Sequence, residues 1–256
     1  DNFIDCYWGG SSITCWMSRE QLAKLESGKN YLENYAALVG EKSSQQYTKE
    51  MEEYNCAYQR WLKSTEEVKQ KDPQASWKEI HKICGECPWP QPVGWQSPFR
   101  PNGLYETMIR RIAPYSLRGF LYYQREEDVQ RYADYSDMMQ MLVKQWRMDW
   151  NDWNLPFLFV QLPMYLADGE KDDSCWALQR EQQYIASLMI QNTGMISLAD
   201  CGEYDNIHPL DKKTPGERLL QLAKNLVYDR QGTITATAAQ LFSDNGKLYV
   251  TFDHLH

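Results

Sequence analysis

The sequence is poor in the features that mark several common functions. It has only four histidines in 256 residues, and neither an HxxxH pair nor a second CxxC accompanies Cys84-Gly85-Glu86-Cys87. Local spacing therefore does not assemble the four ligands of a structural zinc, and no metal or other cofactor is expected. There is no Lys/Arg-rich run and the formal net charge is -8, which argues against a nucleic-acid partner. No apolar run approaches the ~18 residues of a membrane span, so no membrane partner is expected either. The seven cysteines are odd in number and scattered, a pattern of reduced thiols that favours a cytoplasmic compartment over a disulfide framework. The CxxC closes a helical stretch and runs into Pro88-Trp89-Pro90, with no strand before it, so it lacks the setting of a redox motif. The first residue is Asp1 rather than Met and no signal-peptide pattern is in view, so a processed or truncated chain is expected.

What remains is ordinary globular material, 43% hydrophobic and 24% charged, long enough to bury a full core. Ten Trp and seventeen Tyr suit a plain core as well as a carbohydrate-handling cleft. Four short apolar runs without helical period read as buried strands: residues 3–7, 119–124, 156–160 and 194–199. Helical patterns separate or follow the last three. One covers 129–146, with Tyr132, Tyr135, Met139, Leu142 and Trp146 on one face, and another covers 176–190. A third opens at Thr214-Pro215-Gly216-Glu217, with Thr214 expected as N-cap, Pro215 at N1 and Glu217 at N3. Leu219, Leu222, Ala223 and Leu226 give it an apolar stripe. Strands alternating with helices predict an α/β fold with a mainly parallel sheet covered on both faces. Its core is expected from residues 1–17 and 104–228.

Residues 18–103 break this rhythm. Helices are expected at 19–25, 29–39, 46–69 and 77–84, followed by an extended Pro-rich loop at 91–102. This helical insertion suits either a cap beside a site or a partner-binding or structural excursion. Residues 229–256 read as an antiparallel β tail, with strands at 233–237 and 247–252 and a turn at Asn245-Gly246.

In an open parallel sheet, ligands bind beyond the carboxyl ends of the strands. Trp8-Gly9-Gly10-Ser11 follows the first run, the second ends in Tyr123-Gln124-Arg125-Glu126, and Asp205-Asn206-Ile207-His208-Pro209 follows the fourth. These groups are predicted to converge. The Asp205–His208 spacing would let a carboxylate hold an imidazole in one tautomer while its other nitrogen faces a nucleophile; the plainer reading is a turn-capping Asp and a surface His. Gly9-Gly10 could bring backbone N–H groups close to an oxyanion, and Gln124 could add a side-chain N–H. A strand-to-helix turn and a strand-end polar residue are the plainer readings of these two.

Taken together the motifs resemble a known family. Trp8-Gly9-Gly10-Ser11 with Trp16-Met17-Ser18-Arg19-Glu20, Gly119 through Gln124 with Glu126, and Asp205-Asn206-Ile207-His208-Pro209 are similar, in that order, to blocks of the sialate O-acetylesterases. Asn192-Thr193-Gly194-Met195 and Phe252-Asp253-His254 are also similar to family segments. The resemblance implies an SGNH-type hydrolase, a three-layer α/β/α sandwich that removes acetyl groups from sugar hydroxyls without a metal. It implies Asp205 and His208 as acid and base, and Gly10 and Gln124 in the oxyanion hole. Trp8, Glu126 and Arg125 are then candidate contacts to an acetylated sugar.

Two departures stand out. The family's nucleophile is a Ser in a Gly-Gln-Ser-Asn-like block upstream of the double glycine, and the present residues hold no such block. Ser11 stands where the family usually has Thr, so the reading expects the nucleophile from a complementary polypeptide segment. Arg125 replaces a family glycine, which would crowd the oxyanion site or else offer a cation to an acidic sugar. A non-catalytic carbohydrate-binding or scaffold homologue and an acetylxylan esterase are the alternative expectations.

Overall fold

The computed structural model of the chain describes residues 3–124, 126–166, 171–229, 232 and 237–253. They fall into two compact units, Asp1–Ala113 and Pro114–His256.

The first unit is helical, and three of its helices start at a serine hydroxyl. Ser18 accepts from Gln21 N at the head of α1 (Arg19–Leu22). Ser43 accepts from Gln46 N at the head of α3 (Ser44–Lys71). Ser76 and Glu79 form a reciprocal capping box on α4 (Trp77–Cys84). Between α1 and α3 runs α2 (Glu26–Val39). A Cβ on its Gly28 would sit 2.1 Å from the Leu22 carbonyl oxygen, so only glycine fits the elbow between α1 and α2. In α3, 28 residues long, only Tyr47, Trp61 and Thr65 are buried, as its polar composition requires. Trp61 ties α3 to α4: its ring meets Trp77 edge-on at 5.8 Å and its Nε1 donates to Gly85 O at 3.0 Å.

The Pro-rich loop is extended and held against the helices. Lys42 Nζ donates to Val93 O at 2.9 Å, Tyr35 OH donates to Gly94 O at 2.8 Å, and Gly94 lies on the Tyr47 ring. A π turn at Tyr105–Ile109 then leads into α5 (Arg110–Ile112). Residues 3–7 do not form the strand expected of them. Phe3 is 81% and Tyr7 78% exposed. A five-residue apolar run carries no periodicity that tells a strand from an unpaired extended segment, and among the described residues this one pairs with no strand.

The second unit holds the parallel sheet. Its strands are β1 (Phe120–Tyr122), β2 (Phe157–Gln161) and β3 (Thr193–Ser197), in the order β1-β2-β3. Phe157 pairs with Phe120 and with Thr193, and this register fixes which side chains share a face. On one face Phe120, Tyr122 and Phe157 pack against Trp146 of α6 (Tyr135–Asp149). Gln161, with the same facing, donates to Arg180 O in α7 (Cys175–Met189). On the other face Val160 and Ile196 meet Leu219 and Leu222 of α8 (Lys213–Leu226). A Cβ on Gly194 would meet Leu222 and Leu226 of α8 within 3 Å, so glycine there lets the helix lie close. The architecture is the three-layer α/β/α sandwich with a parallel sheet.

The expected stripe on α6 is real: Tyr135, Met139, Leu142 and Trp146 are buried. Ahead of it, Glu126–Asp134 winds as 3-10 turns rather than as the first turns of one long helix. The cap of α8 differs from expectation. Asp211, not Thr214, receives the first N–H groups, accepting from Lys213 N and Thr214 N at 3.0 Å each. A carboxylate one turn upstream outcompetes the hydroxyl because it carries charge and two acceptor oxygens.

Beyond α8 lies an antiparallel hairpin, β4 (Thr237–Asp244) with β5 (Lys247–Asp253). It turns at Asn245-Gly246, both with positive φ, as a type I′ turn requires. The first tail strand thus lies after the expected 233–237, most of which is outside the described residues. Among the described residues no helix is long and apolar enough to cross a membrane.

Arg147 fastens the amino-terminal end of the sheet. It is buried, and its guanidinium donates to Leu155 O at 3.0 Å, Gln191 O at 2.9 Å and Asn192 O at 3.0 Å. Arg147→Ala leaves these carbonyls without their charged donor and should lower unfolding stability by about 2–3 kcal/mol, read from the urea midpoint. A change within 0.5 kcal/mol would mean that water replaces the guanidinium at little cost.

Candidate active site

Beyond the carboxyl ends of β1 to β3 the connecting segments meet. Tyr123, just past β1, lies under Lys212 of the β3–α8 connection, with Nζ 5.8 Å from the ring centroid. Its hydroxyl is pushed up to about 12, first by burial and then by Glu126 and Cys201. After β2, Leu166 N donates to Tyr204 O at 2.8 Å, and Pro163 packs so tightly on Gly202 that a Cβ there would lie 2.3 Å away. Segments from all three strands are thus in contact at one end of the sheet.

Gln124 is half-buried at this end. Tyr122 OH donates to its Oε1 at 3.1 Å, and its Nε2 faces Asp128 Oδ2 at 3.4 Å. The Asp128 carboxylate is fully buried, so the amide that could meet an oxyanion is here turned towards an acid. Glu126 begins the 3-10 turns beside it. Arg125 lies outside the described residues.

The Asp205–His208 segment is a tight loop braced from within. Glu203 Oε2 accepts from Asn206 Nδ2 at 2.7 Å, and Glu203 Oε1 accepts from Leu210 N at 2.6 Å. Asn206 is buried, and its Oδ1 accepts from His208 N at 2.9 Å. Asp205 and His208 themselves are exposed. The described bonds run from Glu203 through the Asn206 side chain to the His208 backbone N–H.

At the root of this loop Arg218 forks onto Asp200, with Nη1 and Nη2 at 2.7 and 2.6 Å from its two carboxylate oxygens. Arg218 also donates to Ser197 O at the end of β3. The fork holds the Asp200 carboxyl down at about 2.

Gly10 and Trp8 belong to the first unit. Gly10 has φ +66°, and a Cβ on it would come within 2.6 Å of the Trp89 ring, so the backbone here runs directly against an indole. Ser11 is buried: its Oγ donates to Trp8 O at 2.7 Å and accepts from Trp16 Nε1 at 2.9 Å. Asp5, Tyr7, Trp8, Gly9 and Met108 line an open cavity of about 480 Å³, and Trp8 is 46% exposed beside it. No group of three or more His, Cys, Asp or Glu is placed to share a metal ion among the described residues.

Residues 91–225 match the family described as carbohydrate esterase, sialic acid-specific acetylesterase. The chain belongs to this sialic acid-specific acetylesterase family. It is similar to the mouse sialate O-acetylesterase, 28% identical over 177 residues, covering 61% of this chain and 32% of the relative. It is also similar to the rat sialate O-acetylesterase, 24% identical across 98% of this chain and 44% of the relative. Among solved structures it resembles a carbohydrate acetylesterase from Xanthomonas citri, with TM-score 0.53 and 32% identity over 59% of this chain and 35% of that one. The chain therefore spans less than half the length of these relatives.

In this member of the family, Glu203, Asn206, Asp200 and Arg218 were not among the residues singled out from the sequence. Asn206 sits inside the very motif that drew attention to Asp205 and His208. Its side chain could have been suspected as an Asx-type brace, because Asn commonly bonds a backbone N–H two residues on. The Asp200–Arg218 fork joins residues 18 apart and had no local signal.

Two outcomes follow. Gly10→Ala meets both a positive φ and the Trp89 ring, and should cost about 1–3 kcal/mol of stability, seen as a lowered thermal midpoint. Asp200 titrates near 2 only while the fork persists, so this contribution to folding is present above the ordinary carboxylate range and lost as pH falls towards 2. Carbon-13 NMR titration of Arg218→Ala should return Asp200 to the ordinary range, and an unmoved titration would show that the guanidinium is not the cause.

Proposed function

We propose that this chain carries the acid–base half of the active centre of a serine carbohydrate esterase that removes O-acetyl groups from sialic acid or a related sugar. The observation that carries the reading is the meeting of the β1, β2 and β3 connections at one end of a parallel sheet, with Gln124 on the first and His208 on the last. In this mechanism a Ser from a segment outside this chain attacks the acetyl carbonyl. His208 takes its proton as the bond forms, and Asp205 orients the imidazole and stabilises its cation. The developing oxyanion is held by the Gln124 side-chain N–H, which must turn from Asp128 to do so. His208 then returns the proton to the departing sugar oxygen, and water, deprotonated by the same imidazole, releases acetate. Glu126 contacts the sugar, and Arg125 adds a cation for an acidic one.

In full-length protein containing the Ser segment, His208→Ala should cut kcat/KM for p-nitrophenyl acetate by about a thousandfold or more. Undiminished turnover by that variant rejects the assignment. Release of acetate from O-acetyl sialate rather than acetylxylan fixes the sugar. A second reading, a non-catalytic carbohydrate-binding homologue, is favoured by the engagement of Gln124 with Asp128. A Ser covalently labelled by a fluorophosphonate in the full-length protein would remove it.

A further inference from the structure

We propose a second ligand site, independent of the esterase reading, in the helical unit: a small basic cavity that takes a carboxylate-bearing sugar. The cavity is about 120 Å³ and is lined by Arg19, Tyr35, Trp95, Arg100 and Asn102, among others. That is well above the ~10–15 Å³ one water needs, so the space can admit a carboxylate and the adjoining edge of a ring.

Its chemistry is specific in three respects. First, it has two guanidiniums and no acid among its lining residues. Arg100 spends one N–H on Ser97 O at 2.8 Å, and Arg19, exposed at the start of α1, makes no hydrogen bond or ion pair among the described residues. Glu20, its neighbour in sequence, pairs with Lys24 instead. Two uncompensated forks in one cavity suit a planar carboxylate, which each can grip through two N–H groups. Second, Asn102 Oδ1 is a buried acceptor with no hydrogen-bond partner. Native structures seldom leave such an atom unsatisfied, and a sugar hydroxyl is the donor it lacks. Third, Trp95 is half-exposed at the cavity, its ring held edge-on to Tyr35 at 6.2 Å and 70°. A rigid, partly exposed indole is a natural platform for the apolar face of a pyranose.

The elements that shape the cavity are firmly tied. Tyr35 OH bonds Gly94 O on the loop that carries Trp95, and Asn102 N donates to Thr14 O at 2.8 Å. The site is thus formed before any ligand arrives, which spares a ligand the entropy of ordering it.

The experiment is isothermal titration of the chain with glucuronate, glucose and acetate. Glucuronate should bind, while glucose and acetate at the same concentrations should bind at least tenfold more weakly, because each satisfies only one part of the cavity. Arg19→Gln should weaken glucuronate at least tenfold, the expected cost of one charge-assisted pair, with an unchanged far-UV spectrum because Arg19 is exposed. Arg19→Lys, which keeps the charge without the fork, should fall between. Equal binding of glucuronate and glucose, no binding of glucuronate, or wild-type affinity in Arg19→Gln would each overturn the proposal. None of these readouts depends on ester hydrolysis, so a failure of the esterase reading leaves this test unaffected.

Discussion

The register of β2 is the constraint on which the second unit rests. Phe157 is opposite both Phe120 and Thr193, and because side chains alternate along a strand, a slip of one residue would turn every partner to the wrong face. That register sends Phe157 and the β1 aromatics into α6, and Val160 and Ile196 into α8. It also ends β2 and β3 at a common level, Gln161 opposite Ser197, two residues beyond the end of β1, so that their exits are neighbours. Strand pairing sets these exits side by side, and the Tyr123–Lys212 and Leu166–Tyr204 contacts then join them.

Two kinds of bracing act on these exits. One is covalently local: Glu203 and Asn206 close the loop around His208 with bonds spanning a few residues. The other reaches across the layer, where Arg218 on α8 grips both the end of β3 and Asp200. The His208 imidazole is therefore carried on a loop whose backbone is set by these bonds. A side chain held on such a loop has less conformational entropy to lose on engaging a ligand.

Much of this was legible in the sequence, for identifiable reasons. Long helices with serine caps announce themselves, and α3 and α4 fall within about two residues of expectation. Strands flanked by helices predicted the sheet, since apolar runs such as 156–160 have nowhere to go but a doubly covered interior. The segment at 3–7 misled because extended and paired backbone have the same composition. The α8 cap was misplaced because Asp211 and Thr214 both offer oxygens, and only geometry decides which is nearer. At the candidate site the chemistry-bearing residues could be read from their order along the chain. The bonds that orient them could not, because Gln124–Asp128 and Asn206–His208 depend on how each loop turns.

The buried amide of Gln183 has a consequence for how this unit opens. Its Nε2 donates to Val160 O at 3.1 Å, and its Oε1 accepts from Leu162 N at 3.0 Å, so a helix side chain takes the place a neighbouring strand would fill. Leu162 is already past the end of β2, where an amide proton would ordinarily exchange with solvent through local fraying. Bonded to an amide with no solvent exposure, it can exchange only when α7 lifts from the sheet. The chain leaving β2 and the helix above it therefore come apart as one cooperative block.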